Sequence, residues 1–574
     1  MSGKKRDTSV VEFSVTSVLL GVLLAVLFGG ANAYLGLRVG MTVSASIPAA
    51  VISMGIIRVL LRKDSILESN MVQTIGSAGE SVAAGAIFTL PVLFMWAEEG
   101  IAGFPDYMEI TAICICASIL GILFMVPLRN ALIVREHMTL PYPEGTACAK
   151  VLAAGEEKKS EASWVFIGLV IAGIYKFIVD GIRLFGSQIH YEFKKLKGAG
   201  VGVDVLPALI SVGYICGFRI ASFMLAGGII SWLALMPVIS MFGGDMVLFP
   251  GDVLIGTMTS NQLWSNYIRY IGAGAVAAAG IISLVKSLPM LFNAFTSSFS
   301  KENRKYQTEG GSQERNIPMK WIIILVVVLS LFIWLAPNIP VNFLGTIMII
   351  IFGFFFATVS SRMVGLVGSS NNPVSGMTIA TLIISAVVMK MSGMSTVAAM
   401  TGTIAVGSII CIISAIAGDT SQDLKTGYIL GATPMKQQIG EIIGVTAASL
   451  SISGVLYLLN NAWGYGSEEL SAPQATLMKL VVEGVMEGNL PWNLILVGVA
   501  IAVAVELMGI ESLPFAVGMY LPIHLSMGIM IGGIIRRIVE KVKKSGVERG
   551  ILFTSGMIAG EGLVGIILAF MEVL

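Results

Sequence analysis

The chain of 574 residues is 55% hydrophobic and only 12% charged, whereas soluble globular proteins carry about 25% charged residues. A net charge of +1 offers no strongly basic surface for a nucleic-acid partner. The five cysteines include no C-x-x-C pair and predict no disulfide framework, so we expect them to be small buried hydrophobes. The composition therefore argues against a soluble enzyme and against a nucleic-acid-binding protein.

Apolar segments occur along the whole chain. About 14 to 16 windows approach the roughly 20 apolar residues that a transmembrane helix needs. The runs are continuous, whereas a membrane β-barrel would alternate polar and apolar residues. We therefore predict an all-α, polytopic bundle in the lipid bilayer that forms a single domain over residues 1–574. The clearest windows are Ser17–Leu37, Thr42–Leu61, Ile110–Pro127, Trp164–Val179, Ile322–Ala336, Phe343–Val359, Thr396–Ala417, Leu494–Met508 and Ile551–Phe570.

The distribution of charge predicts the topology, because basic residues mark loops that stay in the cytoplasm. Basic residues precede the first apolar run at Lys4–Arg6 and recur in the polar loop 298–320, whereas loop 460–489 carries several glutamates. We expect loop 298–320 to be cytoplasmic and loop 460–489 to be external. The N-terminus then lies inside, in the cytoplasmic (inner) membrane. The basic residues of the C-terminal part fit only if a segment near Pro514 or Pro522 is re-entrant.

An internal repeat links the two ends of the chain. Val39–Arg58 reads VGMTVSASIPAAVISMGIIR and Val517–Arg536 reads VGMYLPIHLSMGIMIGGIIR, with seven of twenty positions identical. Each copy is followed by an Ala-Gly-Glu, which contains Glu80 in the first and Glu561 in the second. We predict pseudo-repeats near residues 15–96 and 494–572. Repeats that meet around a central site are typical of secondary transporters.

A polar, proline-containing stretch interrupts the apolar runs after residue 367. Proline removes a backbone donor and pushes the preceding residue out of helical geometry. Within lipid, such a break is tolerated only where it faces protein or a water-filled cavity. We predict a broken helix that faces the substrate, and a plain loop between spans is the alternative. The residues concerned are Ser369, Ser370, Asn371, Asn372 and Pro373.

Three further polar features are candidate parts of the site. The stretch Leu140–Glu156, with Tyr142 and Glu144, is typical of a re-entrant loop that leads into a short helix. Glu80 and Glu561 lie within apolar spans, where a carboxylate is costly and indicates a functional role such as proton carriage. The third feature is a gate or coupling network, with an ordinary cytoplasmic loop as the alternative. Its residues are Asp419, Gln422, Asp423 and Lys425.

Five segments together resemble the oligopeptide transporter superfamily, which includes the yellow-stripe-like metal-chelate carriers. The resemblance covers nearly the whole chain. It implies an all-helical bundle of about 16 segments, a secondary carrier that is typically proton-coupled, and a homodimer by analogy. The segments are NAYLGLRVGM (Asn32–Met41), YPEG (Tyr142–Gly145), SSNNPVSGMT (Ser369–Thr378), GDTSQDLKTGYILGATP (Gly418–Pro434) and LPFAVGMYLP (Leu513–Pro522).

Two departures separate the chain from the peptide branch of that superfamily. Val374 follows Asn372-Pro373 where the peptide branch has glycine, and the Lys-Ile-Pro-Pro-Arg motif is missing from the sequence. The chain is therefore more similar to the yellow-stripe-like or prokaryotic branch. The resemblance implies that small peptides or amino-acid-like metal chelates are the substrates.

The leading hypothesis is a proton-coupled symporter that needs no cofactor beyond the proton gradient. Residues 369–373 with Tyr142 and Glu144 would hold the substrate, and Glu80 or Glu561 would carry the proton. A channel is one alternative. An intramembrane aspartyl protease is another, but Asp245 and Asp252 lie in one short stretch, whereas such proteases need two facing aspartates. An ATP-driven pump is disfavoured because the sequence has no G-x-x-x-x-G-K-[ST] loop.

Overall fold

The computed structural model describes most of the chain, with gaps at the N-terminus, around residue 300 and at several short segments. The described residues are 12–40, 42–57, 65–154, 162–193, 196–249, 251, 253–276, 278–279, 281–282, 285–286, 315–369, 372, 374–467, 469–486, 491–542 and 546–573.

These residues form helices almost throughout. The α-helices are α1 (Val15–Val39), α2 (Ser46–Gly55), α3 (Ile66–Ala86), α4 (Pro91–Glu98), α5 (Tyr107–Met125), α6 (Pro143–Ala154), α7 (Ala162–Lys176), α8 (Pro207–Cys216), α9 (Phe218–Ile229), α10 (Met236–Gly243), α11 (Ser260–Leu263), α12 (Met319–Leu335), α13 (Phe343–Val367), α14 (Val374–Met391), α15 (Thr396–Leu430), α16 (Pro434–Trp463), α17 (Pro473–Met486), α18 (Trp492–Leu507), α19 (Ser512–Tyr520), α20 (Ile523–Val542) and α21 (Gly546–Val573). Short 3₁₀ or π turns occupy Val126–Leu128, Asn130–Arg135, Phe177–Gly181, Ile230–Leu235, Ile255–Thr257 and Trp264–Ile268.

The helices confirm the predicted all-α membrane bundle. Within the described part of the chain, nine helical segments are long and apolar enough to cross a membrane, and four more apolar helices are shorter. The strands found in that part form one antiparallel hairpin, β1 (Gln188–Glu192) with β2 (Gly200–Asp204), in which Gln188 pairs with Asp204. A polytopic bundle of this kind leaves the backbone hydrogen bonds inside the helices, as lipid requires.

The chain reverses direction between α1 and α2. A Cβ atom on Gly79 would overlap the carbonyl oxygen of Ala25, so α3 packs directly on the backbone of α1. α2 then runs back along α3, because Ser53 Oγ donates to the carbonyl oxygen of Ser69 at 3.0 Å. Asn32 Oδ1 accepts a hydrogen bond from the Val43 backbone N–H at 2.9 Å and thereby fastens the break to α1.

A second reversal lies between α13 and α14, at the polar stretch that the sequence singled out. α13 runs beside α15, with Gly353 packed against Ile413. α14 runs back along the same helix, with Leu382 against Gly407. Gly368, at φ 87°, ends α13 in a backbone conformation that glycine adopts at little cost.

A third reversal lies at Leu521 and Pro522, between α19 and α20. α19 runs parallel to α9. Near their starts Arg219 pairs with Glu511 at 3.2 Å, and toward their far ends Ser231 Oγ donates to the Met519 carbonyl oxygen at 3.0 Å. α20 runs back along α9, which places Gly533 against Phe218 and Ala221. This hairpin contains both Pro514 and Pro522, and the re-entry of one of these segments into the membrane stays a prediction.

The first and third reversals have the same order of elements: helix, break, helix, helix. α1, α2 and α3 form one copy and α19, α20 and α21 form the other. α21 runs parallel to α1, because Gly562 lies against Ala31 and Gly565 against Tyr34. The basic end of α20 therefore lies at the end of the bundle where α1 begins, which we call the N-terminal end. The origin of the two copies by duplication stays a prediction.

The two predicted loops fare differently. Residues 460–489 are not a loop throughout, because α17 occupies Pro473–Met486 and most of its residues are buried. Glu483, one of the glutamates that suggested an exposed loop, accepts from Trp96 Nε1 at 2.8 Å and pairs with Lys479 at 3.0 Å. These partners make its burial tolerable. Most of loop 298–320 lies outside the described residues, and α12 begins at Met319.

Candidate functional site

A cavity of about 670 Å³ lies between the first two helix breaks. One wall is the break after α1, at Gly40, Thr42 and Val43, and the facing wall is the break before α14, at Ser369 and Asn372. A volume of this size suits a small-molecule ligand, since such pockets measure roughly 300–1,000 Å³. Broken helices thus line an internal space in the bundle.

The predicted site residues fall into three groups. Those that line the cavity are Glu80, Glu144, Ser369, Asn372 and Asp419. Those that lie elsewhere in the bundle are Tyr142, Gln422, Asp423, Lys425 and Glu561. Those that lie outside the described residues are Ser370, Asn371 and Pro373.

The break before α14 presents polar groups to the cavity. Asn372 Nδ2 donates to Ser360 Oγ at 2.7 Å, and its Oδ1 is buried without a hydrogen-bond partner among the described residues. α14 begins at Val374, which also lines the cavity. The first turn of a helix has unpaired backbone N–H groups and a partial positive charge. This wall therefore offers both a side-chain acceptor and a helix N-terminus.

Gln422 positions the start of α6, which carries Glu144. Its Oε1 accepts from the Gly145 backbone N–H at 2.8 Å, and its Nε2 donates to the Val364 carbonyl oxygen at 3.1 Å. A Cβ on Gly145 would overlap the Gln422 backbone, so only glycine allows this close approach. Gln422 thus joins α6, α13 and α15 beside the cavity.

Tyr142 and Lys425 support the same region from behind. Tyr142 is fully buried, its backbone N–H donates to the Gly365 carbonyl oxygen at 2.8 Å, and its hydroxyl donates to Ser361 at 3.2 Å. Lys425 Nζ donates to the carbonyl oxygens of His137 and Leu140, both at 3.1 Å, and lies 5.4 Å from the centroid of the Tyr142 ring. The structure therefore places Tyr142 in the packing behind the cavity wall rather than in the cavity lining, because its ring lies against Gly365 of α13.

Two aspartates of α15 face a row of polar residues on α3. Gln73, Ser77 and Ser81 are four residues apart and share one face of the helix. Ser81 Oγ donates to Asp419 Oδ2, and Ser77 Oγ donates to Asp423 Oδ2 at 2.6 Å. Both carboxylates are thus satisfied by neutral donors inside the bundle.

Glu80 completes the acidic part of the cavity. Its side chain is 4% exposed and lies beside Asp419, and its Oε2 has no hydrogen-bond partner among the described residues. Two buried carboxylates this close repel each other, which favours the state in which one of them holds a proton. Among the described residues, neither Glu80 nor Asp419 forms an ion pair with lysine or arginine. The Glu80–Asp419 pair is therefore a candidate proton-binding site at the cavity wall.

Glu561 has different surroundings, although it matches Glu80 in the repeat. Its Oε2 accepts from the Ala208 backbone N–H at 2.7 Å at the start of α8, and Arg38 and Lys176 lie close to it. Arg38 also pairs with Asp204 at 3.2 Å. Lys176 pairs with Asp180, and Glu561 joins α21 to α8 instead of lining the cavity.

Sequence reasoning missed Gln474 and Glu441. Gln474, on α17, lines the cavity at 6% exposure, and its Oε1 has no hydrogen-bond partner among the described residues. Glu441, on α16, is 2% exposed and lies beside Asp423. The α3 row was also missed, although its four-residue spacing was visible in the sequence. Gln474 and Glu441 gave no such signal, because only the packing of α16 and α17 brings them to α15 and to the break after α1.

Comparison with known proteins decides the family. The model of the OPT oligopeptide transporter protein family matches residues 12–572. The chain belongs to the OPT oligopeptide transporter family. Its members are transporters rather than enzymes, so the intramembrane protease alternative is overturned; Asp252 lies outside the described residues.

Relatives of this OPT transporter come from bacteria and plants. A Haemophilus influenzae protein named "Putative oligopeptide transporter" is 32% identical, over 94% of this chain and 92% of that protein. The "Metal-nicotianamine transporter YSL3" of Arabidopsis thaliana is 22% identical, over 90% of this chain and 83% of that protein. The rice protein named "Probable metal-nicotianamine transporter YSL13" is 23% identical, over 97% and 85%. The predicted resemblance to this superfamily is confirmed.

Proposed function

We propose that this OPT protein is a proton-coupled symporter for short peptides or amino-acid-like metal chelates. The observation that carries the proposal is the cavity between two broken helices with the Glu80–Asp419 carboxyl pair in its wall. Similarity to proteins named as oligopeptide and metal-nicotianamine transporters supports these substrate classes. Both classes carry carboxylate and amine groups, and peptides add amide groups; the cavity offers polar partners for all three.

The cavity offers partners for both the negative and the positive groups of such a substrate. The N-terminus of α14 offers N–H groups to a substrate carboxylate, as half-helices do in other carriers. Asn372, Gln474 and Ser369 offer hydrogen bonds to amide groups. Glu144 lies in the same cavity and offers a negative charge to an ammonium group or a chelated metal ion.

The Glu80–Asp419 pair is proposed to carry the coupled proton. The pair lines the same cavity as the residues proposed to bind the substrate. Binding of the proton and binding of the substrate would therefore influence each other. Glu561 is less suited to this task, because it does not line the cavity and its Oε2 accepts from the Ala208 backbone N–H. We therefore choose Glu80 over Glu561 as the proton carrier.

We propose that the protein lies in the cytoplasmic membrane, with the N-terminal end of the bundle on the cytoplasmic side. Arg536, Arg537 and Lys541 gather at this end, as the preference for positive charge inside requires. Glu511 lines the cavity and pairs with Arg219. The neighbour of Arg219, Phe218, contacts Arg537 in the basic part of α20, so Glu511 lies near the N-terminal end. The cavity thus opens toward the N-terminal end, in an inward-facing state. A homodimer stays a prediction.

Uptake into proteoliposomes tests this function. With an imposed inward proton gradient, we expect saturable accumulation of a peptide or metal chelate, with Glu80→Gln losing the gradient response by about tenfold or more. Thermal-shift measurements should show that Glu80→Gln still binds substrate. Glu540→Gln, on the exposed part of α20, is the matched control and should transport normally. Wild-type uptake that ignores the proton gradient would disprove coupling, and uptake that never saturates would favour the channel alternative.

A further inference from the structure

A second pair of carboxyl groups lies one helical turn from the first and away from the cavity. Asp423 on α15 and Glu441 on α16 lie beside each other and are 1% and 2% exposed. The two helices meet here, because Gln437, one turn before Glu441, donates to the Asp423 carbonyl oxygen. Neither carboxyl group lines the cavity. As for Glu80 and Asp419, the burial of two neighbouring carboxyl groups favours the state in which one of them holds a proton.

Neutral donors hold Asp423 in place. Gln73 Nε2 donates to its Oδ1 at 2.5 Å and Ser77 Oγ donates to its Oδ2 at 2.6 Å. Gln437 Nε2 donates to the Asp423 carbonyl oxygen at 2.9 Å and to Thr74 Oγ1 at 3.1 Å. The carboxylate position is therefore fixed from α3 and α16 without any charge of opposite sign.

Among the described residues, the titratable groups that act on Asp423 come from three helices. α16 contributes Glu441, α6 contributes the thiol of Cys148, and α15 itself contributes Asp419, which faces Glu80 of α3. Lys425, two residues further along α15, donates instead to the carbonyl oxygens of His137 and Leu140. Since neither carboxyl group forms an ion pair with lysine or arginine in the described part of the chain, a bound proton would neutralise the pair.

The side-chain oxygen of Gln73 provides independent support for a proton-binding site at these carboxyl groups. It is completely buried with its amide nitrogen on Asp423, yet its Oε1 has no hydrogen-bond partner among the described residues. A buried polar atom without a partner is costly. An acceptor left open beside two carboxyl groups suits an added proton donor, such as a protonated carboxyl group or a water that delivers the proton.

The position of the pair connects the cavity to the N-terminal end. The Thr433 backbone N–H donates to Glu12 at 3.1 Å, so α15 ends and α16 begins where the chain enters the bundle. Asp423 therefore lies between that end and Asp419. Ser81 bonds the cavity pair and Ser77 bonds the second pair, one turn apart on α3.

We propose that Asp423 and Glu441 form a second proton-binding site, which passes the coupled proton between the cavity pair and the N-terminal end. This inference rests on the proposed proton coupling. In each passage Asp423 takes up the proton that the Glu80–Asp419 pair releases, and Glu441 releases its own proton toward the N-terminal end, so one proton enters the pair and one leaves. Substrate leaves through the cavity mouth, and the proton leaves by this separate route.

Glu441→Gln separates the two routes. Uptake driven by the proton gradient requires the transporter to release its proton, whereas exchange of substrate across the membrane does not. We expect Glu441→Gln to lower gradient-driven uptake by about tenfold or more and to change substrate exchange by less than about twofold. Glu540→Gln should match the wild type in both assays.

Infrared spectroscopy provides a readout that does not depend on transport. At neutral pH the purified wild-type protein should show infrared absorption from protonated carboxyl groups of both pairs. The absorption of the Asp423–Glu441 pair should persist in Glu80→Gln and be missing in Glu441→Gln. Loss of the whole signal in Glu80→Gln would contradict the second site, even if Glu441→Gln failed to fold.

Two transport results would overturn the inference. The first is normal gradient-driven uptake by Glu441→Gln while the wild type responds to the gradient. The second is an equal loss of exchange and gradient-driven uptake, which would make Glu441 part of the substrate site or the scaffold. A wild type that ignores the proton gradient would instead defeat the proposed function itself.

Discussion

At the scale of residues, charge compensation separates groups that the sequence makes look alike. Glu80 and Glu561 occupy matching positions in the repeat, yet Glu80 lies beside Asp419 in the cavity wall, whereas Glu561 accepts from the Ala208 backbone N–H with Arg38 and Lys176 nearby. Lys176, which resembles an interfacial lysine in the sequence, is buried and donates to the Tyr34 hydroxyl at 2.9 Å. The chemical role of each group therefore depends on what packs against it.

Gly79 tests how closely α1 and α3 must approach to bring Glu80 to the cavity. In Gly79→Val the new side chain would overlap the backbone of Ala25 and force the two helices apart. We expect a loss of stability of about 1–3 kcal/mol or more, measured as a lower thermal midpoint in detergent. Gly103→Ala is the control, because a Cβ there meets nothing within 4 Å. Equal midpoints for Gly79→Val and the wild type would refute the close packing.

At the scale of elements, helix breaks and the segments that hold them build the site. Three reversals bring helix ends to the middle of the bundle, at Val43, Gly368 and Pro522. Each uses residues that disfavour continuous helix, and polar side chains from neighbouring helices hold the broken ends. The short helix α6 is fastened in the same way by α15.

Lys425 tests this support of α6. Lys425→Met loses both hydrogen bonds to the carbonyl oxygens of His137 and Leu140. The freed loop should exchange its amide hydrogens faster, by about 1–3 kcal/mol in opening free energy, over residues 136–146 in hydrogen–deuterium exchange. Lys436→Met, whose side chain is partly exposed and 3.6 Å from Glu12, should leave that segment unchanged. Unchanged exchange in Lys425→Met would mean that Lys425 does not support the loop.

The sequence predicted the elements better than the contacts between them. Proline, asparagine and glycine between apolar runs predicted the break at Asn372, because no uninterrupted helix accommodates them. The glutamates of residues 460–489 predicted an exposed loop, but Glu483 lies on α17 and has partners inside the bundle. These partners, on α4 and on its own helix, are not visible in the sequence. Gln474 and Glu441 could not be assigned, because their positions are determined by packing between segments far apart in the chain.

At the scale of the whole molecule, the structure is open to one end. The cavity reaches from the Glu80–Asp419 pair to charged residues at the N-terminal end. A carrier must expose its site alternately to the two sides, and repeats related in structure are a common basis for that movement. The state that is open to the N-terminal end would then be one of two that the transport cycle needs.

Cysteine labelling tests that accessibility. In a cysteine-free background, Ser369→Cys in the cavity wall should react with a membrane-impermeant thiol reagent from the side of the N-terminal end, and bound substrate should slow the reaction by about tenfold. Met391→Cys, at the far end of α14 and 82% exposed, should react from the opposite side. Labelling of both cysteines from the same side would contradict the assigned opening.

Simultaneous measurement of substrate and proton movement tests the central claim most directly. Proteoliposomes containing a pH-sensitive dye would receive substrate without any imposed gradient. The account predicts that wild-type and Glu540→Gln vesicles acidify as substrate enters, and that Glu80→Gln vesicles do not. Substrate entry into wild-type vesicles with no change in internal pH would contradict the claim that the Glu80–Asp419 pair binds the proton that travels with the substrate.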